Sequence, residues 1–450
     1  MAGAAACRRF VPPHVPPYIP SPPRSVSVSS PATGSAESLL HQRSFVLFWF
    51  ARVATMVAYQ MMAVAVGWQV YDLTGSALDL GFVGLAQFLP SLALVLVVGH
   101  VADRYDRRRI LEGCQHVQAV AATVLAAQSL TGTITERSIF SFIALIGAAR
   151  AFQMPTQQAL LPSLVSPQLF PRALASAASA GQAAVIAGPA LGGLVYIAGP
   201  TFAYGTSAVL FVVAGVLVHL VRTVARPAAK ETPTLHTLFA GIAFIRSRPA
   251  LLGAISLDLF AVLLGGATAL LPIYARDILD TGPWGLGLLR SSTAVGALAM
   301  AIYLSHRPLG RQAGRKMFAA VAVFGVGTIV FGLSRWLPLS AAALILLGAA
   351  DMISVVVRQT LVQIGTPDSM RGRVSAVNSI FIGSSNQLGE FESGLTADFF
   401  GTVPSVVIGG IGTLLVVLAW MRLFPTLLDV DRIDTAPKTA DPSVGKPPPR

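Results

Sequence analysis

The sequence predicts an all-α membrane protein with twelve transmembrane helices in two pseudo-symmetric six-helix bundles. Three observations lead there. Of 450 residues, 54% are hydrophobic and only 12% are charged, about half the charged share of a soluble domain. Apolar segments of the length that crosses a bilayer, about 20 residues, recur twelve times. The second six of these segments echo the first.

The spans fall at 45–70, 81–102, 110–130, 139–160, 175–198 and 202–221, then 251–274, 286–305, 317–333, 339–359, 374–397 and 403–424. The joints after spans two, four, six, eight and ten hold sixteen Lys and Arg, and the opposite joints hold three, Arg137, Arg276 and Arg335. Basic joints stay in the cytoplasm during insertion, so both termini are expected there and the protein in the cell (inner) membrane. The sequence pI of about 10.4 reflects this topology. The basic residues lie between spans and form no single face for nucleic acid.

Residues 1–44 carry eight prolines and many serines, a composition that stays extended and solvated. They read as a disordered cytoplasmic tail, or as the product of a misassigned start codon. Residues 425–450 read as a second disordered cytoplasmic tail. The domains expected between the tails are an N-terminal bundle at 45–222, a cytoplasmic linker at 223–249 and a C-terminal bundle at 250–424. Within the linker, Leu235, Leu238, Phe239, Ile242 and Ile245 share one helical face, which suits an amphipathic helix lying on the membrane surface.

The repeat is visible in residues. "GAARAFQMPTQQALLPSLV" from Gly147 resembles "GAADMISVVVRQTLVQIGT" from Gly348, and Arg172 meets Arg373. With one residue of slippage, Gly181, Gly188 and Gly192 meet Gly383, Glu390 and Gly394. Two halves sharing one pattern suggest a transporter with a midplane site between them. Enzyme and ATP-pump signatures are missing from the chain: there is no GxxxxGK[ST] loop and no GxSxG elbow. The histidines show no metal-ligand spacing, and Cys7 and Cys114 imply no disulfide framework. No cofactor or metal is expected.

The joint after span two is "GHVADRYDRRR", Gly99 to Arg109. It resembles the G-x-x-x-D-R-x-G-R-R signature of the major facilitator superfamily, through Gly99, Asp103, Arg104, Arg107 and Arg108, with Asp106 where glycine is usual. Arg150 and Gln153 resemble that superfamily's R-x-x-Q-G pattern, with Met154 in place of the glycine. "AGPALGG", with Gly188, Pro189, Gly192 and Gly193, resembles the G-P-x-x-G-G motif of exporters that exchange substrate for protons. "VGWQVYDLTGSALDLGFVGLAQFLP" and "RGRVSAVNSIFIGSSNQLGEFESG" look like the enterobactin-exporter branch, which also holds macrolide efflux proteins.

The resemblance implies the major facilitator fold, alternating access and proton-coupled export of a small organic molecule, a siderophore or an amphipathic drug. It also implies a cytoplasmic gate, in which Asp103 meets the start of span eleven at Arg371 and Arg373. Asp103 would gain there from a helix N-terminus and from charge-assisted hydrogen bonds. An importer or facilitator of the same fold, and a non-transporting receptor or scaffold, are the competing readings. The expected partners are a small-molecule substrate, protons and membrane lipid, with the chain working as a monomer.

Charges within spans are costly and should face a cavity or a partner. They are Arg150, Asp258, Asp351, Arg358, Glu390 and Glu392. Arg150 and Asp351 occupy matching repeat positions and are candidates to pair across the two-fold axis. Asp258 and Glu390 are the leading proton-coupling candidates. Arg52 and Arg290, nearer span ends, suit snorkelling to the surface. Tyr59, Gln60, Trp68, Gln87, Gln153, Asn378 and Asn386 are the candidate substrate-cavity residues. Gly188 and Gly192 have small-xxx-small spacing, which permits close helix packing. Asp103→Asn is expected to cut transport while leaving membrane insertion intact; uptake assays beside a membrane-fraction blot measure the two separately.

Overall fold

The computed structural model describes residues 39–94, 97–98, 101, 104–222, 235–307 and 309–430. Gly99, Asp103, most of both predicted tails and the first part of the linker lie outside these residues. The described chain is all-helical, and its long helices follow the predicted spans. They are α1 (Arg43–Thr74), α2 (Ala77–Ala93), α3 (Arg107–Thr131), α4 (Glu136–Leu160), α5 (Phe170–Tyr196) and α6 (Pro200–Leu220). After a linker helix, Leu235–Arg246, come α7 (Pro249–Gly265), α8 (Gly282–His306), α9 (Ala313–Leu333), α10 (Leu337–Ile364), α11 (Asp368–Phe400) and α12 (Thr402–Leu423). Among the described residues, nine helices are long and apolar enough to cross a membrane. α2 is apolar but only 17 residues long, and α3 and α11 carry more polar residues.

Local chemistry sets the joints. Gly75 and Gly132 take the left-handed conformation that ends α1 and α3, a geometry that favours glycine. Ser76 caps α2 by accepting from the Asp79 N–H at 3.2 Å, and Thr135 with Ser138 forms a capping box on α4. Proline stands in the first turn of α6, α7, α8 and α10, where its missing donor costs nothing.

The neighbour relations repeat. In the first half α2 packs on α4, α4 on α3, α3 on α6, α6 on α1 and α1 on α5. The second half has the same order six helices on: α8 on α10, α10 on α9, α9 on α12, α12 on α7 and α7 on α11. The two most extensive contacts between the halves are α2 with α11 and α5 with α8, and the same shift exchanges them.

Glycines show the equivalence in detail. Gly147 lies directly against the Gln87 backbone, as Gly348 lies against that of Thr293. At the junctions, a Cβ on Gly394 would stand 2.8 Å from the Gly81 Cα, and one on Gly193 would stand 3.1 Å from the Gly287 Cα. Gly193, and not the predicted Gly192, is therefore the counterpart of Gly394. Gly192 instead meets α1, its Cβ position 2.7 Å from the Met61 Cα.

Both glycine junctions lie toward the end of the molecule where α1 finishes at Thr74. There one apolar cluster runs through both halves, from Val66 and Tyr204 to Tyr274 and Leu344. Toward the opposite end, where α3 begins at Arg107, the core is divided. Phe48, Leu111, Leu160 and Val218 pack within the first half, and Leu257, Met317, Val357 and Val417 within the second.

Three expectations are corrected. Span seven is not one continuous helix. The α-helix stops at Gly265–Gly266 and resumes through a 3₁₀ turn, Ala267–Leu270, and a π turn, Tyr274–Ile278. Paired glycines and Pro272, which has no N–H, account for the break, and the Ser393 hydroxyl donates to the freed Gly266 carbonyl at 2.8 Å.

The linker helix packs on α11. A Cβ on Gly241 would sit 2.9 Å from the Arg373 carbonyl oxygen, and Ile245 is buried beside Val374 and Val377. The C-terminal tail begins later than expected. Pro425–Leu428 is helical, Leu427 is fully buried, and the Gly314 N–H donates to the Val430 carbonyl at 3.1 Å.

Gly193→Val is expected to part α5 and α8 at the Thr74 end, because overpacking of this kind costs about 1–3 kcal/mol. Spin labels at Leu194 and Leu288 should report a separation larger by several ångströms than without the valine.

Candidate functional site: a charged cavity between the halves

Between the halves lies a cavity of about 460 Å³. α1, α2 and α5 supply one wall, and the broken span seven, α8, α10 and α11 supply the other. The helix break matters here. Thr268, Ala269, Leu271 and Pro272 line the space, and irregular backbone at membrane depth is tolerated where it borders a cavity or protein. Pro189 and Glu390, at equivalent repeat positions, both line it.

Of the predicted residues, Tyr59, Gln60, Gln87, Asp351 and Glu390 reach the cavity. The Tyr59 hydroxyl donates to Gln87 Oε1 at 2.5 Å, tying α1 to α2. Gly84 leaves room for Glu390: a Cβ there would be 2.6 Å from Oε2.

Other candidates are placed elsewhere. Gln153 is buried within the first half, where it accepts from Gln118 Nε2 at 2.5 Å. Asn378 is buried away from the cavity lining with Oδ1 unpartnered. Asn386 is exposed, and Trp68 packs near Tyr196 with ring centroids 6.5 Å apart. Arg290 is the residue that sequence reasoning misjudged. It does not snorkel: it lines the cavity with Nε buried and unpartnered. Its place one turn inside Gly287, at the glycine junction, was the available signal.

The expected Arg150–Asp351 pair does not form. Arg150 stacks on Tyr59, with Cζ 3.4 Å from the ring centroid, a cation–π contact. The buried ion pair is Asp258 with Arg358, and Ser354 Oγ donates to the other Asp258 oxygen at 3.0 Å. Asp351 lines both the main cavity and a small void of about 10 Å³ that Asp258 and Ser354 also border, a volume near one water. Asp351 thus stands between the open cavity and the buried pair.

The basic joint has a structural role of its own. Arg107 Nη1 donates to the Ala159 carbonyl at the end of α4, and Arg108 Nη1 to the Val221 carbonyl after α6, both at 3.1 Å. They satisfy helix-terminal carbonyls. Asp106 caps α3 by accepting from the Arg108 N–H at 2.9 Å, which explains an acid where the signature has glycine. Arg104 is exposed, and Arg373 Nη1 lies 3.7 Å from the Met370 sulfur. The expected partner of Arg371 and Arg373, Asp103, is outside the described residues.

At the Thr74 end, Arg276 Nη1 bonds Asp72 Oδ1 at 2.8 Å, and the Tyr71 hydroxyl donates to Asp277. These pairs join α1 to the π turn across the two halves. They are solvent-exposed and contribute little energy, so the glycine junctions and the shared apolar cluster carry the closure.

The model of the transmembrane secretion effector family matches residues 34–445. The chain belongs to that family, within the major facilitator superfamily. This member is 23% identical over 408 residues to macrolide efflux protein A of Streptococcus pyogenes, covering 87% of its own length and 97% of the relative's. It is 25% identical over 395 residues to the enterobactin exporter EntS of Citrobacter koseri, with 85% and 92% covered. Its fold resembles that of a mutant of the nucleoside transporter NupG, at a TM-score of 0.70 and 12% identity over 85% of this chain and all of the other. It also resembles a bacterial homologue of the lysosomal transporter Spinster, at a TM-score of 0.69 and 11% identity over 86% and 97%. The transporter is a membrane protein of helical bundles, and its family moves small molecules.

Removing one partner of a buried ion pair costs about 3–5 kcal/mol, whereas apolar replacement of both is close to neutral. Asp258→Leu and Arg358→Met should each lower the unfolding temperature in detergent, and the double variant should recover most of the loss.

Proposed function

We propose that this transporter exports a small organic molecule, a siderophore or an amphipathic drug, in exchange for protons by alternating access. The observation that carries the reading is the 460 Å³ cavity between repeat-related halves, lined by Arg290, Asp351 and Glu390. A secondary transporter needs a midplane site that opens to one side at a time. Proton coupling needs an acid in a desolvated, switchable setting, and Asp351 and Glu390 are the candidates that border the cavity.

In this reading all twelve helices cross the membrane, 45–222 and 250–424 form the two domains, and 223–249 links them. The Lys and Arg bias assigns the Arg107 end to the cytoplasm, together with both termini. The core shared at the Thr74 end and divided at the Arg107 end then fits an inward-open state. Arg104, Arg371 and Arg373 would approach Asp103 when the cytoplasmic side closes. The two export relatives support the outward direction.

The test is a screen of siderophores and amphipathic drugs in proteoliposomes with an imposed pH gradient. Cargo accumulation should follow the gradient and collapse with a protonophore. Glu390→Gln and Asp351→Asn should each abolish gradient-driven movement; full activity in both would remove these acids from the coupling.

A further inference from the structure

We infer that Arg290 is the docking point for an oxyanion on the cargo, so that the transported molecule is an amphipathic organic anion. The inference rests on the cavity being the substrate site and names the chemistry that fits it.

A guanidinium stays charged at all working pH values and offers five N–H donors in a fixed fork. Burying it without acceptors is costly. Arg290 makes no hydrogen bond or ion pair to the described residues, and its Nε is buried and unpartnered. The side chain lies against α1 at Gly67, where a Cβ would be in ordinary contact with Nη2 at 3.5 Å. Glu390 is its electrostatic neighbour, yet that carboxylate is seated against α2 at Gly84 and forms no ion pair with it. Arg290 therefore lines the cavity with the donors of its two Nη groups unused, and a carboxylate or phenolate can take two of them at once.

The surroundings set the rest of the ligand. Gln387 is also in the lining, with its Oε1 buried against α2 at Gly84. Ala63, Val83 and Val185 supply an apolar wall. A cationic cargo would leave the Arg290 guanidinium without an acceptor.

The test uses three probes on one skeleton: 2-naphthoate, 2-naphthamide and 2-naphthylmethylammonium, titrated against full-length protein in lipid nanodiscs. Naphthoate should bind at least about tenfold more tightly than the other two, the scale of one charge-assisted bidentate contact. Arg290→Gln should erase that preference. Arg290→Lys, which keeps the charge and loses the fork, should retain part of it and guards against a glutamine variant that fails to fold. Naphthoate binding no tighter than the amide, or a preference that survives in R290Q, overturns the inference.

Ala63→Trp, which fills the cavity, separates this failure from that of the parent reading. If Ala63→Trp weakens all three probes while R290Q changes nothing, the anion subsite is wrong and the cavity stands. If Ala63→Trp leaves all three unchanged, both readings fall.

Discussion

A charge inside an apolar helical protein must meet an opposite charge, a hydrogen-bond acceptor or a polar space, and most of this molecule's architecture follows from how each one is met. Asp258 and Arg358 neutralise each other within the second half. Arg150 rests on an aromatic face. Arg107 and Arg108 take up carbonyls at the ends of neighbouring helices. Arg290, Asp351 and Glu390 border the cavity. An in-span charge without a protein partner needs water or a ligand to complete it.

The cavity exists because the halves touch closely at only part of their length. Glycine against glycine brings α5 to α8 and α2 to α11 near the Thr74 end, and the apolar core is continuous there. Toward the Arg107 end each half keeps its own core. Contacts without side chains can form tightly and part cleanly, since no interdigitated layer has to be disrupted. The break in span seven adds to this. Its 3₁₀ and π turns place backbone at the cavity wall and carry Arg276 and Asp277 to the α1 terminus.

Relatives of this protein are named for macrolide efflux and for enterobactin export. One scaffold thus accompanies chemically distant cargoes, as expected where function resides in side chains grafted on a common fold. Identity near one quarter leaves ample freedom in the cavity lining. In the proposed reading, the polarity of that lining, and not the fold, decides which molecules this protein accepts.

The chain by itself determined the helices, their order and the repeat, because lipid-length apolar runs and basic joints are local features that need no partner to be read. Tyr59, Gln60, Gln87, Asp351 and Glu390 were legible as cavity residues, since polar groups within spans have few other places to go. The fate of each remaining charge was decided only by tertiary structure. Arg150 and Asp351 look like a pair in the alignment of the halves, yet Tyr59 intercepts one of them. Gln153 matches a motif but is taken up by Gln118 from the adjoining helix. Arg290 looks like a span-end residue until the glycine junction brings α8 against α5 and turns its wall inward. A helix with lipid on one side and apolar neighbours on the other shows little hydrophobic periodicity, so which face a charge occupies depends on how neighbouring helices are rotated and how closely they pack, and that is a property of the assembled bundle.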